Sequence, residues 1–77
     1  MKKPATFYHA GCPVCIDAEH MLAEAIDTGR YAVEIVHLGT DRGRIAEAKA
    51  AGVQSVPALV LDGKAFHINF GAALTDL

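Results

Sequence analysis

The feature that most constrains the fold is a pair of cysteines two residues apart, in the segment Gly11-Cys12-Pro13-Val14-Cys15. This segment separates an apolar run from a stretch with helical periodicity. Helix positions three apart share one face, so the two sulfurs can join or part without backbone movement. If the helix begins here, free N–H groups and the positive end of the helix dipole stabilise a Cys12 thiolate. Such a setting lowers a thiol pKa from about 8.5 to roughly 3.5–7.5, so the segment predicts a reactive dithiol.

Size and charge limit what else the chain can be. Its 77 residues predict one domain, 1–77, near the lower limit for folding on a single core. The net charge is −2 and the seven Lys and Arg residues are scattered, which argues against nucleic-acid binding. No apolar run approaches the roughly 18–20 residues of a membrane span, and the start does not read as a secretory signal. We therefore expect a cytoplasmic protein without a membrane partner, where a CxxC pair is more often catalytic or metal-binding than structural.

Apolar patterning predicts an α/β fold with the element order β-α-β-α-β-β-α. Strands alternating with helices indicate a βαβ unit with a parallel strand pair, and Asp62-Gly63 predicts a hairpin that adds an antiparallel fourth strand. In the last strand Phe66, Ile68 and Phe70 share one face, which we expect in the core. The predicted strands are residues 5–8, 31–38, 58–61 and 64–70, and the predicted helices are 14–26, 42–51 (with Asp41 as a cap) and about two turns within 71–77.

Two stretches resemble the thioredoxin and glutaredoxin superfamily. Residues 7–15 are similar to the glutaredoxin active site, where an aromatic residue precedes Gly-Cys-Pro-aromatic-Cys, and residues 51–59 are similar to the Gly-Val and Ser/Thr-Val/Ile-Pro of thioredoxins. The resemblance covers nearly the whole chain. It implies a minimal thioredoxin-like fold, a four-stranded mixed sheet in three α/β/α layers. It also implies that Pro57 is cis against the cysteine pair and that Val56 presents its backbone to a substrate.

The sequence departs from those families in three places. Thr6 stands where thioredoxins carry a buried Asp that assists proton transfer to the second thiol. Where glutaredoxins that bind glutathione carry Gly-Gly and a nearby Asp, residues 69–73 have one glycine, and no Asp precedes Asp76. The last helix is also shorter than is usual in the family. One sheet face is therefore expected to be thinly covered, which favours a dimer or a partner.

These residues predict a cytoplasmic thiol–disulfide oxidoreductase that needs no cofactor. Cys12 attacks a disulfide and Cys15 resolves the mixed disulfide. Expected partners are a disulfide-containing protein and a reductase or glutathione as electron donor, with the chain a monomer or a weak homodimer. His9 is either a proton shuttle or, as we favour, a solvated loop histidine, and Tyr8 either lines the substrate surface or packs inside. The predicted substrate-contacting residues are Tyr8, Gly11, Pro13, Val56 and Pro57.

Other functions fit the same cysteines. A zinc site would need two histidines beside the pair, but the sequence has no second CxxC and His20 lies about 140° around the helix from Cys15. A cluster shared between two chains through Cys12 is another metal-binding alternative. A redox-sensing interaction module without efficient turnover is the third, and an inert buried thiol pair the fourth. The four histidines that could supply zinc ligands are His9, His20, His37 and His67.

Overall fold

The computed structural model describes residues 2–77, and the side chains of these residues apart from 69 and 70. Four strands form one mixed sheet in the order β2-β1-β3-β4, with β1 and β2 parallel and the other neighbours antiparallel. The elements are β1 (Lys3–His9), α1 (Pro13–Ala25), β2 (Tyr31–His37), α2 (Ile45–Ala50), β3 (Ser55–Leu61) and β4 (Lys64–Ala73), with 3₁₀ turns at Arg42–Arg44 and Leu74–Asp76.

The core lies on both faces of the sheet, because neighbouring residues of a strand point to opposite sides. On one face, Phe7 of β1 packs with Ala18 and Leu22 of α1. On the other, Tyr8 belongs to a cluster that includes Ala48 of α2. One helix therefore covers each face, which confirms the predicted three-layer α/β/α arrangement and its four-stranded mixed sheet.

The predicted hairpin between β3 and β4 is confirmed. Asp62 has φ 52° and Gly63 has φ 76°, the two positive values of a type I′ turn. Leu61 and Lys64 are partners on either side of the turn. This turn places β4 at the edge of the sheet, antiparallel to β3.

The expected C-terminal helix is wrong. Strand β4 continues to Ala73, because Ala72 and Ala73 pair with Val56 and Ser55 of β3. The ladder uses the backbone groups that a helix would have needed. The few residues that follow form a single 3₁₀ turn, from which Leu74 enters the core.

The expectation that the apolar face of β4 is buried is also wrong for the side chains that the structure describes. Phe66 is 51% exposed and Ile68 is 41% exposed, whereas Phe70 lies outside the described side chains. Phe66 pairs with Leu59, which packs against the α1 cluster, so this face of β4 is on the α1 side of the sheet. Among the described elements α1 is the helix on that side, and although it contacts β4 as well as β1 and β3, it leaves Phe66 and Ile68 partly exposed.

The helix expected at 42–51 begins later than predicted. Its first three residues form a 3₁₀ turn, a common start for a helix, and the α-helical part is confined to Ile45–Ala50. Asp41, the expected N-cap, makes no capping hydrogen bond with its side chain. Within residues 2–77, no helix is long and apolar enough to span a membrane.

Candidate active site

The cysteine pair lies at the junction between β1 and α1. Cys12 is the N-cap of α1 and Pro13 is its first residue, the position where a missing N–H does least harm. The two cysteines form a disulfide. The backbone N–H of Cys15 points at the Sγ of Cys12, with a distance of 3.2 Å from nitrogen to sulfur. An N–H donor favours the charged form of its acceptor, so this geometry stabilises a Cys12 thiolate once the disulfide is reduced.

The two sulfurs differ in accessibility. Cys15 is completely buried, whereas Cys12 is partly exposed. Pro13 beside it is exposed as well. An incoming disulfide can therefore reach Cys12 and not Cys15, which gives the pair the asymmetry that a nucleophile and a resolving thiol require.

Strand β3 begins beside this pair. The Val56–Pro57 peptide bond is cis, and both side chains are buried. The carbonyl oxygen of Val56 lies within 3.0 Å of the point that a Cβ on Gly71 would occupy, and the Sγ of Cys12 lies within 2.5 Å of the same point. The backbone of Val56 and the sulfur of Cys12 thus border the same small space.

Gly71 on β4 is a residue of this site that the sequence analysis missed. Any Cβ at this position would collide with the Sγ of Cys12 and press against Val14, so the strand passes the sulfur only because position 71 has no side chain. A single glycine within a strand pattern is a signal of such close approach. The signal was lost because residues 71–77 were expected to be helical.

Position 11 requires glycine, in part because a histidine of the neighbouring strand lies against it. Its φ is +78°, and a Cβ there would lie 2.6 Å from Nε2 of His37. Both the backbone conformation and the space therefore call for glycine. Gly11 is exposed next to Cys12, so the structure brings it to the same surface as the reactive sulfur.

His9 is the last residue of β1, and the interpretation of it as a solvated loop histidine is wrong. It is 6% exposed, its Nδ1 accepts the N–H of Gly11 at 3.2 Å, and its Nε2 lies 3.6 Å from a carboxylate oxygen of Glu19. Burial, and then the nearby His37, lower the pKa of His9. With Nδ1 accepting a hydrogen bond, neutral His9 carries its proton on Nε2 and holds the loop that leads to Cys12.

His37 repeats this arrangement one strand away. His9 and His37 are partners in the parallel pair of β1 and β2, and their ring centroids are 4.6 Å apart. The Nδ1 of His37 accepts the N–H of Gly39 at 3.1 Å. The sequence analysis considered His37 only as a zinc ligand, because nothing in a single sequence shows which residues of two strands are paired.

Tyr8 does not line a substrate surface. It is buried in the core cluster, and its hydroxyl donates a hydrogen bond of 2.5 Å to Glu47 of α2. Burial, and then this hydrogen bond, raise the pKa of Tyr8 to about 12. Arg44 binds the same carboxylate and, through that hydrogen bond, lowers the pKa of Glu47. The hydrogen bond from Tyr8 to Glu47 therefore links β1 of the sheet to α2.

The histidines that could complete a zinc site are not gathered around the cysteines. Nε2 of His67 accepts the N–H of Gln54 at 3.1 Å, and His20 is exposed on α1. Across residues 2–77 as described, no three His, Cys, Asp or Glu side chains come together as a candidate metal site. The cysteine pair is therefore organised as a disulfide next to two glycines and a buried histidine.

Comparison with known proteins agrees with this geometry. A solved structure of similar fold is the solution NMR structure of a dimeric thioredoxin-like protein from Nitrosomonas europea. The two chains are 67% identical with a TM-score of 0.91, and the match covers 99% of this chain and 95% of that one. None of the curated proteins matches significantly. The family model that describes the thioredoxin domain matches residues 6–71, and the chain therefore belongs to the thioredoxin-domain family.

Proposed function

We propose that the protein is a thiol–disulfide oxidoreductase that uses Cys12 and Cys15 as its redox couple. The observation that carries the proposal is the asymmetry of the pair. Cys12 is a partly exposed N-cap whose Sγ accepts the N–H of Cys15, whereas the sulfur of Cys15 is buried behind it. The N-cap position stabilises a thiolate at Cys12, and burial keeps the thiol of Cys15 away from solvent.

The reaction follows from this arrangement. The Cys12 thiolate attacks one sulfur of a substrate disulfide, forms a mixed disulfide and releases the other substrate sulfur as a thiolate. Cys15 loses its proton and attacks Sγ of Cys12, which closes the internal disulfide and releases the second substrate sulfur. Two electrons pass from the protein to the substrate. A dithiol reductase, or two molecules of glutathione, then returns two electrons and reduces the Cys12–Cys15 bond.

A substrate segment would bind between the start of β3 and the loop before α1. Val56 is fully buried and pairs with Ala72 of β4, so its main-chain groups, which lie next to the sulfur, would meet a substrate by strand addition only after the end of β4 moves away. Gly11 and Pro13, which are exposed, would form the surrounding surface, whereas Pro57 is buried and would not contact the substrate in this conformation. His9 would affect proton transfer at Cys12 only indirectly, because its Nδ1 accepts the N–H of Gly11 and so positions the loop that carries Cys12. The cycle needs a reducing compartment, and we infer the cytoplasm, where donors of thiol electrons are abundant.

The test uses two matched variants, Cys12→Ser and Cys15→Ser, each mixed in reduced form with glutathione disulfide. We expect Cys15→Ser to form a lasting mixed disulfide at Cys12, detected by intact mass, because no thiol remains to resolve it. Cys12→Ser should react far more slowly, because Cys15 is buried. Equal reaction of the two variants, or no mixed disulfide in Cys15→Ser, would refute the mechanism.

The pH dependence of alkylation provides a second measurement on Cys15→Ser. A midpoint well below about 8.5 is expected for a thiol at a helix N-cap. A midpoint at or above that value would show that Cys12 is not activated, and would refute the proposal even if slow exchange occurred.

We also infer that the chain forms a homodimer. The protein from Nitrosomonas europea that it resembles over nearly its whole length is described as dimeric. The exposed apolar side chains of this chain are consistent with self-association, since large apolar patches on small domains commonly mark interaction sites. Sedimentation velocity over a concentration series tests this inference directly.

A further inference from the structure

We propose that a second copy of this chain binds to the surface between α1 and β4, formed by Val14, Met21, Phe66 and Ile68. We refer to these four residues as the α1–β4 surface. The proposal rests on the homodimer inferred above and assigns its interface. It also places the partner subunit beside the cysteine pair.

Among the described side chains, the α1–β4 surface contains the two most exposed large apolar ones, Met21 and Phe66. Met21 is 64% exposed, Phe66 is 51% exposed and Ile68 is 41% exposed. Val14, Met21 and Ile68 line a groove of about 240 Å³ between the helix and the strand. Asp17 is the one charged side chain that lines this groove. An apolar centre with little charge is the usual composition of the core of a protein interface.

The chain cannot cover this surface with its own C-terminal residues as the structure describes them. Strand β4 ends at Ala73, and Leu74 then packs into the cluster that contains Tyr8 and Ala48. That cluster lies on the α2 side of the sheet. The final 3₁₀ turn is therefore directed to the opposite face, and among the described side chains Phe66 and Ile68 of β4 remain exposed on the α1 side.

On a chain of this size, a stable dimer interface would occupy much of one face. A stable interface buries roughly 800 Å² on each partner. The accessible surface of this chain is 4659 Å², so such an interface would take about one sixth of it. The α1–β4 surface contributes three of the five large apolar side chains that are strongly exposed.

A second apolar groove, on the other side of α1, is the rival interface. It is lined by side chains of α1 and β2, among them Leu22, Val33 and Ile35. Leu22 is buried and Val33 is half-buried, and Ile35 is the strongly exposed member at 44%. This groove has one strongly exposed large apolar side chain, whereas the α1–β4 groove has two, Met21 and Ile68. The groove between α1 and β2 is therefore the weaker candidate, and Ile35 is a matched control.

The α1–β4 surface reaches the redox site through Val14. A Cβ on Gly71 would lie 3.0 Å from Cγ2 of Val14 and 2.5 Å from Sγ of Cys12, so both side chains adjoin the same glycine. A partner seated over Val14 and Ile68 therefore lies at the margin of the opening through which a substrate reaches Cys12.

The experiment compares Met21→Glu and Ile68→Glu with Ile35→Glu by sedimentation velocity over a concentration series of the oxidised protein. All three replace an exposed apolar side chain by the same carboxylate. We expect the wild type and Ile35→Glu to dimerise with similar affinity. The two α1–β4 variants should associate at least about 100-fold more weakly, since a carboxylate would be buried without a partner. Far-UV circular dichroism and urea unfolding verify that each variant is folded.

Several outcomes would overturn the proposal. It is wrong if both α1–β4 variants dimerise like the wild type, or if Ile35→Glu alone is monomeric. A wild type that is monomeric at all concentrations would overturn both the homodimer and its interface. Should the variants unfold, dilution of ¹⁵N-labelled wild type still decides, because the amide signals of Met21 and Ile68 must shift and that of Ile35 must not. Exchange with glutathione disulfide, measured on the same samples, reports separately on the redox function.

Discussion

Gly71→Ala is the sharpest test of the site geometry, because it adds one methyl group at the point where β4 passes the reactive sulfur. The added Cβ would lie 2.5 Å from Sγ of Cys12 and 3.0 Å from both Cγ2 of Val14 and the carbonyl oxygen of Val56. Non-bonded heavy atoms prefer about 3.5–4.0 Å, so the sulfur and the strand must separate by roughly 1 Å. Two of these three groups have little freedom to move, because the sulfur of Cys12 is held in the disulfide and the carbonyl of Val56 is backbone.

Overpacking of this kind costs about 1–3 kcal/mol of unfolding free energy. In a domain of this size, each kcal/mol lowers Tm by about 4–8 °C. The control is Gly43→Ala, where a Cβ meets nothing within 4 Å, and we expect its stability to stay within about 0.5 kcal/mol of the wild type. Thermal and urea unfolding of the oxidised proteins measure both variants.

A double-mutant cycle separates contact with the sulfur from a general disturbance of β4. Gly71→Ala should destabilise the protein less in a Cys12→Ala background, because the closest of its three clashes is gone. The remaining contacts with Val14 and Val56 keep part of the cost. Equal stability of Gly71→Ala and Gly43→Ala, or the same cost of Gly71→Ala with and without the Cys12 sulfur, would refute the geometry that we describe.

Three further predictions concern the residues around the motif. Because the folded protein lowers the pKa of His9, the unfolded chain binds a proton at a higher pH, so the unfolding free energy should fall as pH falls through about 6.5. Urea unfolding of His9→Gln should show a flatter dependence of this free energy on pH, and an unchanged dependence would contradict the prediction. Glu47→Gln should lower the pKa of Tyr8 from about 12 while burial keeps it above 10, as followed by phenolate absorbance, and a pKa that does not move would show that the carboxylate has no effect. Gly11→Ala should be destabilised by about 1 kcal/mol or more, because φ is +78° and the added Cβ would lie 2.6 Å from Nε2 of His37; wild-type stability would mean that the loop can relax.

Local signals in the sequence were enough to predict the elements that position the cysteines. The Gly-Cys-Pro-Val-Cys segment between an apolar run and a helical stripe placed Cys12 at the start of α1, where the structure has it as N-cap. Asp62-Gly63 predicted the turn, since the two positive φ angles of a type I′ turn require such residues. Each of these features is decided within a few residues of chain, which is why periodicity and turn chemistry suffice.

The errors occurred where distant residues decide the outcome. Ala72 and Ala73 are strand because they pair with Val56 and Ser55, far earlier in the chain. His9 is buried because His37 of the parallel neighbour packs against it, and no pattern within either strand specifies that register. Burial of Phe66 and Ile68 was expected from alternation alone, and alternation identifies a face without showing what covers it.

The absence of the expected C-terminal helix and the close approach of β4 to Cys12 have one cause, the extension of β4 to Ala73. Extending β4 to Ala73 brings Gly71 against Cys12, which narrows the space around the sulfur. The same extension uses residues that were expected to form the last helix, and Ile68 remains 41% exposed in the groove that it shares with Val14. Completion of the redox site and exposure of the α1–β4 surface are therefore linked through one strand. A chain with this β4 either leaves the α1–β4 surface in contact with water, which the hydrophobic effect disfavours, or covers it with another molecule. In a symmetric dimer, the second copy contributes the same apolar surface to the interface.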